Sequence, residues 1–215
     1  MTMNTNREAM IAQMTEELAP VRPFNPMRGA LMVGLAALVT VLAVEFVEGL
    51  WRGILAGEAA PFFWVANGLL LVLGIASAVA VIAMSSPRVG GRNESPKWAS
   101  AMTGVLPVAA LVSVLPHADE SASLVDPYAF HCVTSAMASS LLAGAALVIW
   151  LRRGAPVSAA LAGWYTGLAA GALGAVAYGL SCPLDTVTHL GIWHVVPVAA
   201  AAIAGRLIVP HLIRW

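Results

Sequence analysis

The sequence predicts an all-α fold: a polytopic membrane protein whose six transmembrane helices form a bundle, with the N-terminus and the C-terminus both cytoplasmic. Three observations carry this. Of the residues, 60% are hydrophobic and only 10% are charged, against about 25% charged in an ordinary soluble domain. Six apolar segments reach or approach the roughly 20 residues needed to cross about 30 Å of hydrocarbon. The basic residues fall on alternate connections, as the positive-inside rule requires.

The spans are Gly29–Leu50, Phe62–Met84, Trp98–Leu115, Tyr128–Leu151, Pro156–Leu180 and Leu190–Ile213. These runs are too long and too continuous for the alternating strands of a barrel. The third is the shortest and holds Pro107, which predicts a kinked span whose freed backbone groups are satisfied by neighbouring helices. Residues 1–28 form a cytoplasmic tail and 29–215 the transmembrane domain. The tail carries Glu8, Glu16 and Glu17 and lacks the short apolar core and Ala-x-Ala site of a cleaved signal peptide.

An even number of crossings puts both termini on one side. That side collects Arg7, Arg22 and Arg28, then Arg88, Arg92 and Lys97, then Arg152 and Arg153, then Arg206 and Arg214; of the 11 basic residues only Arg52 falls opposite. This fixes the expected orientation as multi-pass, N-in and C-in, with the lipid bilayer as the principal solvent; if the membrane is a bacterial inner one, the opposite side is the periplasm. A net charge of zero without a basic block argues against direct nucleic-acid binding. Most tryptophans (Trp51, Trp64, Trp98, Trp150, Trp193 and Trp215) sit near span ends, as an aromatic belt does.

Span five carries Gly163, Gly167 and Gly171 on one face, and span six offers Ala201 and Gly205. Small residues at this spacing let a second backbone approach closely. Packing inside the bundle and a homodimer interface are both open uses of the stripe. Spans four and five are joined by Arg152–Ala155 alone, so they should be antiparallel neighbours.

The two cysteines are too few for a disulfide scaffold or a zinc ribbon. Cys132 opens span four and Cys182 closes span five, so both face the non-cytoplasmic side, where disulfides persist. Regular helices would leave about 9 Å of vertical offset between them. A disulfide needs Cα atoms within about 7 Å, so the chain around Pro183 would have to fold back. His131, Asp185, His189 and His194 gather at the same edge, with His117 in the preceding loop. This chemistry suits zinc or another thiophilic cation, held transiently by His131, Cys132, Cys182, His189 and His194. His189 and His194 are five positions apart, however, and a regular helix does not stack them on one face. A metal site, a disulfide and unlinked interfacial residues all remain open, and no other cofactor is expected.

Glu45 and Glu48 lie near the end of span one. A carboxylate in a span is a functional candidate, but Glu48 and Arg52 have the spacing of an i,i+4 pair. No nucleophile elbow and no His-Glu-x-x-His zinc pattern appears, and a lone thiol pair is short of what a quinone-linked disulfide oxidase relays through. An enzyme is not expected.

The tail reads TNREAMIAQMTEELAP over Thr5–Pro20. Thr5 and Glu8 fit a capping box, Met10, Ile11, Met14 and Leu18 fall on one face, and Pro20 ends the helix. Such a segment orders fully only against a partner. Its acidic polar face disfavours anionic lipid, where interfacial helices are usually basic, and favours a protein with a basic, partly apolar groove.

Several stretches together resemble the NrsF family of six-span inner-membrane anti-sigma factors. They are LAPVRPFNPMRGAL (Leu18–Leu31), LRRGAP (Leu151–Pro156), SCPLD (Ser181–Asp185), HLGIWHV (His189–Val195) and HLIRW (His211–Trp215). The likeness covers essentially the whole chain. It implies a regulator that sequesters an extracytoplasmic-function (ECF) sigma factor at the cytoplasmic face. Release would follow heavy-metal or oxidative stress sensed through Cys132 and Cys182. The sigma-binding surface would comprise Met10, Ile11, Met14, Glu16, Glu17, Leu18, Val21 and Arg22. The chain departs from the family pattern at Ser181, where many members have histidine, so a metal site common to every member is not implied. The alternative is a small multispan transporter or metal-efflux protein using Glu45 and the His/Cys cluster.

Overall fold

The computed structural model describes residues 2–16, 25–86, 93–115 and 126–214. Regular structure among them is entirely helical: α1 (Thr2–Glu16), α2 (Pro26–Val47), α3 (Arg52–Ala56), α4 (Pro61–Met84), α5 (Ser95–Thr103), α6 (Val105–Val114), α7 (Ala129–Leu151), α8 (Ala159–Gly179), α9 (Val187–Trp193) and α10 (Val196–Leu212). Six stretches are long and apolar enough to cross a membrane: α2, α4, α5 with α6, α7, α8, and α9 with α10.

Local chemistry sets the ends. The first span begins at Pro26, three residues ahead of the Gly29 expected, because Asn25 caps it by accepting from the Met27 N–H at 3.0 Å and Pro26 occupies the first turn, where no N–H is needed. It stops short of Leu50 because Gly49 turns left-handed, at φ 80°. Glu48 is therefore the C-cap of α2 while Arg52 opens α3, so the pair expected from i,i+4 spacing does not share a helix.

Two spans are broken, and one rule explains both. Proline cannot donate to the carbonyl four residues back, and its ring crowds that carbonyl. Four residues before Pro107 is Thr103, where α5 ends; four residues before Pro197 is Trp193, where α9 ends. The two broken spans pack together, and a Cβ on Gly191 would stand 2.6 Å from the Leu106 carbonyl oxygen.

The centre of the bundle is α8, with 67% of its apolar window buried against 17% for peripheral α2. Its glycines make this close packing possible. A Cβ on Gly163 would strike the Gly205 carbonyl oxygen, and one on Gly167 would strike that of Ala201. The small-residue stripe is thus occupied by α10 of the same chain. On another face, Gly174 meets α7 so closely that a Cβ would lie 2.7 Å from the Ala136 carbonyl oxygen. Gly167→Leu should therefore lower the thermal unfolding midpoint of the detergent-solubilised protein, with a cost of about 1–3 kcal/mol or more from overpacking. An unchanged midpoint would mean that α8 and α10 can separate freely.

At the tail end of the bundle, Trp150 is buried rather than belted, its indole against Gly29 and its N–H donating to the Ile82 carbonyl at 3.4 Å. The turn between α7 and α8 is tied to α4 by the Ala155 N–H, which donates to the Ser85 carbonyl at 2.9 Å. In the tail, α1 already includes Thr2, so Thr5 lies inside the helix and is not its cap. Residues 7–16 are all exposed, Met10, Ile11, Met14 and Glu16 among them. Glu17, Leu18, Val21, Arg22 and His117 lie outside the described residues.

Candidate functional site

At the end of the bundle opposite the start of α2, four side chains meet beneath the surface. Cys132 is in the first turn of α7. Cys182 lies in the connection after α8, His189 in α9, and His194 at the break between α9 and α10. They are 1%, 0%, 2% and 1% exposed.

Each is placed by a local device. The connection after α8 does fold back, pinned by the Trp51 N–H donating to the Leu180 carbonyl at 3.0 Å and the Ala60 N–H donating to Asp185 Oδ2 at 2.8 Å. That closes the vertical offset expected of two regular helices. Thr186 caps α9 by accepting from the His189 N–H at 3.3 Å. The proline break then turns the chain at His194, with φ −91° and ψ −17°, so two histidines five positions apart converge on one point.

The thiols are unlinked, with the sulfurs 3.7 Å apart. His189 Nε2 lies 3.2 Å from Cys132 Sγ and 3.5 Å from Cys182 Sγ. One ligand atom from each of Cys132, Cys182, His189 and His194 falls within 4.8 Å of all the others. The Tyr178 hydroxyl touches Cys132 Sγ at 3.7 Å. Hydrogen bonding with Cys132, followed by burial, pushes the Cys182 thiol above the ordinary thiol range.

Behind His189 stands Asp126, its Oδ2 2.7 Å from His189 Nδ1. A carboxylate there keeps the proton on Nδ1 and leaves the Nε2 lone pair facing the sulfurs. Asp126 also accepts from the Tyr128 N–H at 2.8 Å, just ahead of α7. In the sequence it stood out only as one acid among several in the loops; the Asp-Pro-Tyr step opening a span was the available signal. His194 is different: both its ring nitrogens are buried with no hydrogen-bond partner among the described residues.

His131 does not join the four. Its Nε2 faces Glu48 Oε2 at 3.5 Å, linking α7 to the end of α2, and its ring meets Tyr178 edge-on. One turn below Glu48, both carboxylate oxygens of Glu45 are buried without a partner among the described residues.

Comparison with known proteins gives the chain's relatives. The family described as "Negative regulator of sigma F" (NrsF) matches residues 14–215. The anti-sigma-F factor NrsF of Caulobacter vibrioides (strain NA1000 / CB15N) is 33% identical over 202 residues, covering 90% of this chain and 91% of that protein. A probable anti-sigma-F factor NrsF of Azospira oryzae is 30% identical over 162 residues, covering 72% and 73%. No solved structure matches.

Proposed function

Because this chain belongs to the NrsF family of negative regulators of sigma F, we propose that it is an inner-membrane anti-sigma factor for an ECF sigma factor, with both termini cytoplasmic. The tail, α1 with the residues that follow it, holds the sigma factor at the cytoplasmic face. Cys132 and Cys182, at the periplasmic edge, sense heavy-metal or oxidative stress and cause release. No catalysis and no direct contact with nucleic acid is required.

The observation that carries this reading is a pair of opposite ends. One end presents a helix whose apolar residues Met10, Ile11 and Met14 are 56%, 54% and 57% exposed, surface that a partner's groove would cover. The other end buries a close thiol pair, the sulfurs 3.7 Å apart. Two ends of one bundle can communicate only if a ligand or reaction has different affinity for two packings. A coupling of about 1–3 kcal/mol is ordinary for such a device.

The test is affinity capture from detergent-solubilised membranes, comparing the full chain with one lacking residues 1–18, with partners identified by mass spectrometry. A sigma factor retained by the full chain and lost from the truncation is the expected result. Its absence from both samples, with a known interaction preserved as control, would overturn the proposal.

A further inference from the structure

We propose that Cys132, Cys182, His189 and His194 hold a resident divalent cation of the zinc class, with Asp126 as the residue that positions His189. This deepens the sensing part of the reading above: the resting sensor is a loaded metal centre and not a free dithiol.

The distances carry the argument. A tetrahedral zinc ion bonds sulfur at about 2.3 Å and imidazole nitrogen at about 2.0–2.1 Å, which sets ligand atoms apart by about 3.8 Å for two sulfurs and about 3.5 Å for sulfur and nitrogen. The observed separations are 3.7 Å between sulfurs and 3.2 and 3.5 Å from the sulfurs to His189 Nε2. A disulfide would bring the sulfurs to about 2.05 Å. The Cys132–Cys182–His189 triangle therefore has the edges of one face of a coordination tetrahedron, and His194 supplies a fourth ligand atom within 4.8 Å of all three.

His194 is the independent observation. Its ring is 1% exposed and neither nitrogen has a partner among the described residues. A buried imidazole without a hydrogen bond is costly, and a metal bond at one nitrogen removes that nitrogen's share of the cost. Charge points the same way. Two thiolates balance a divalent cation, so the centre is neutral in a place where net charge is expensive. Four protein ligands, all buried, leave no open coordination position, which is the pattern of a structural ion. Asp126 completes the carboxylate–histidine–metal arrangement that fixes a ligand's tautomer and orientation.

The consequence is mechanical. The cation would join α7 to the connection after α8 and to both sides of the break between α9 and α10. A softer thiophilic cation competing for the sulfurs would then displace an ion that already holds the bundle end together.

The test uses the full chain purified in detergent with thiols reduced. Metal analysis should find about one zinc-class ion per chain. The stripped protein titrated with Co(II) should develop tetrahedral d–d bands and thiolate charge-transfer absorption. Cys182→Ser should lose the charge-transfer intensity of one sulfur, and His194→Ala should weaken Co(II) binding and change the d–d envelope. Asp126→Ala should weaken binding by about 10–100-fold while giving wild-type bands at saturation, as a positioning role requires. Wild-type protein that binds no Co(II), or binds it without thiolate bands, overturns the proposal, and this measurement decides even if a variant fails to fold. Equal binding and identical spectra for wild type and His194→Ala overturn the four-ligand set. None of these readouts involves the sigma factor. A chain that loads the cation yet captures no sigma factor would overturn the anti-sigma reading alone.

Discussion

Replacing Met10, Ile11 and Met14 together by aspartate is expected to free the sigma factor, so that its target promoters run at full level without stress. The three are exposed apolar side chains of α1. In a complex, each buried side chain of this kind is worth about 1.5–3 kcal/mol. Losing even two of them at the lower figure removes about 3 kcal/mol, or about 100-fold in affinity, since each 1.4 kcal/mol is tenfold. The transmembrane bundle should be untouched, because none of the three is buried against it. Co-purification of the sigma factor and a reporter at a sigma-dependent promoter read the effect in parallel. Full repression by the triple variant would show that the docking surface is elsewhere on the cytoplasmic face.

The second large effect is loss of the response itself. Cys132→Ser combined with Cys182→Ser is expected to insert in the membrane, yet to give the same reporter level with and without a thiophilic cation or an oxidant. Serine nearly preserves volume at these 1% and 0% exposed positions, so the six spans should still insert. What disappears is the soft, ionisable sulfur, the group that oxidants and thiophilic cations attack. The reading is induction ratio: wild type rises on challenge, and the double variant stays at its basal level. A double variant that responds as wild type does would remove the thiols from the mechanism.

How much of this was readable in advance depended on the range of the interactions. Spans were legible because apolar length is a local property, and four of the six appear as single helices. The stripe of Gly163, Gly167 and Gly171 was legible as a close-packing face, but its partner was not, because α10 and a second copy offer the same surface chemistry. The prolines were legible in kind and less so in consequence. Pro107 announced a kink; Pro197 was passed over, yet the break it causes brings His194 toward His189, which regular-helix spacing had argued against. Asp126 was illegible as a partner for His189, since the two are 63 positions apart and meet only when the connection after α8 folds back. The family resemblance drawn from short stretches agrees with the family match over residues 14–215.

The enclosure of α8 bears on how the protein is made. Its glycine and alanine faces receive α4, α7 and α10, so the helix that organises the bundle is the fifth of six spans to leave the ribosome. Until it is inserted, the earlier spans lack the central helix on which α4 and α7 close, and α10 has no groove to enter. A nascent chain stopped in the turn after α7 should thus be a loosely joined set of helices exposed to membrane proteases. Assembly would then be gated by the last third of translation, and premature termination there would yield rapid turnover in place of a partly active regulator.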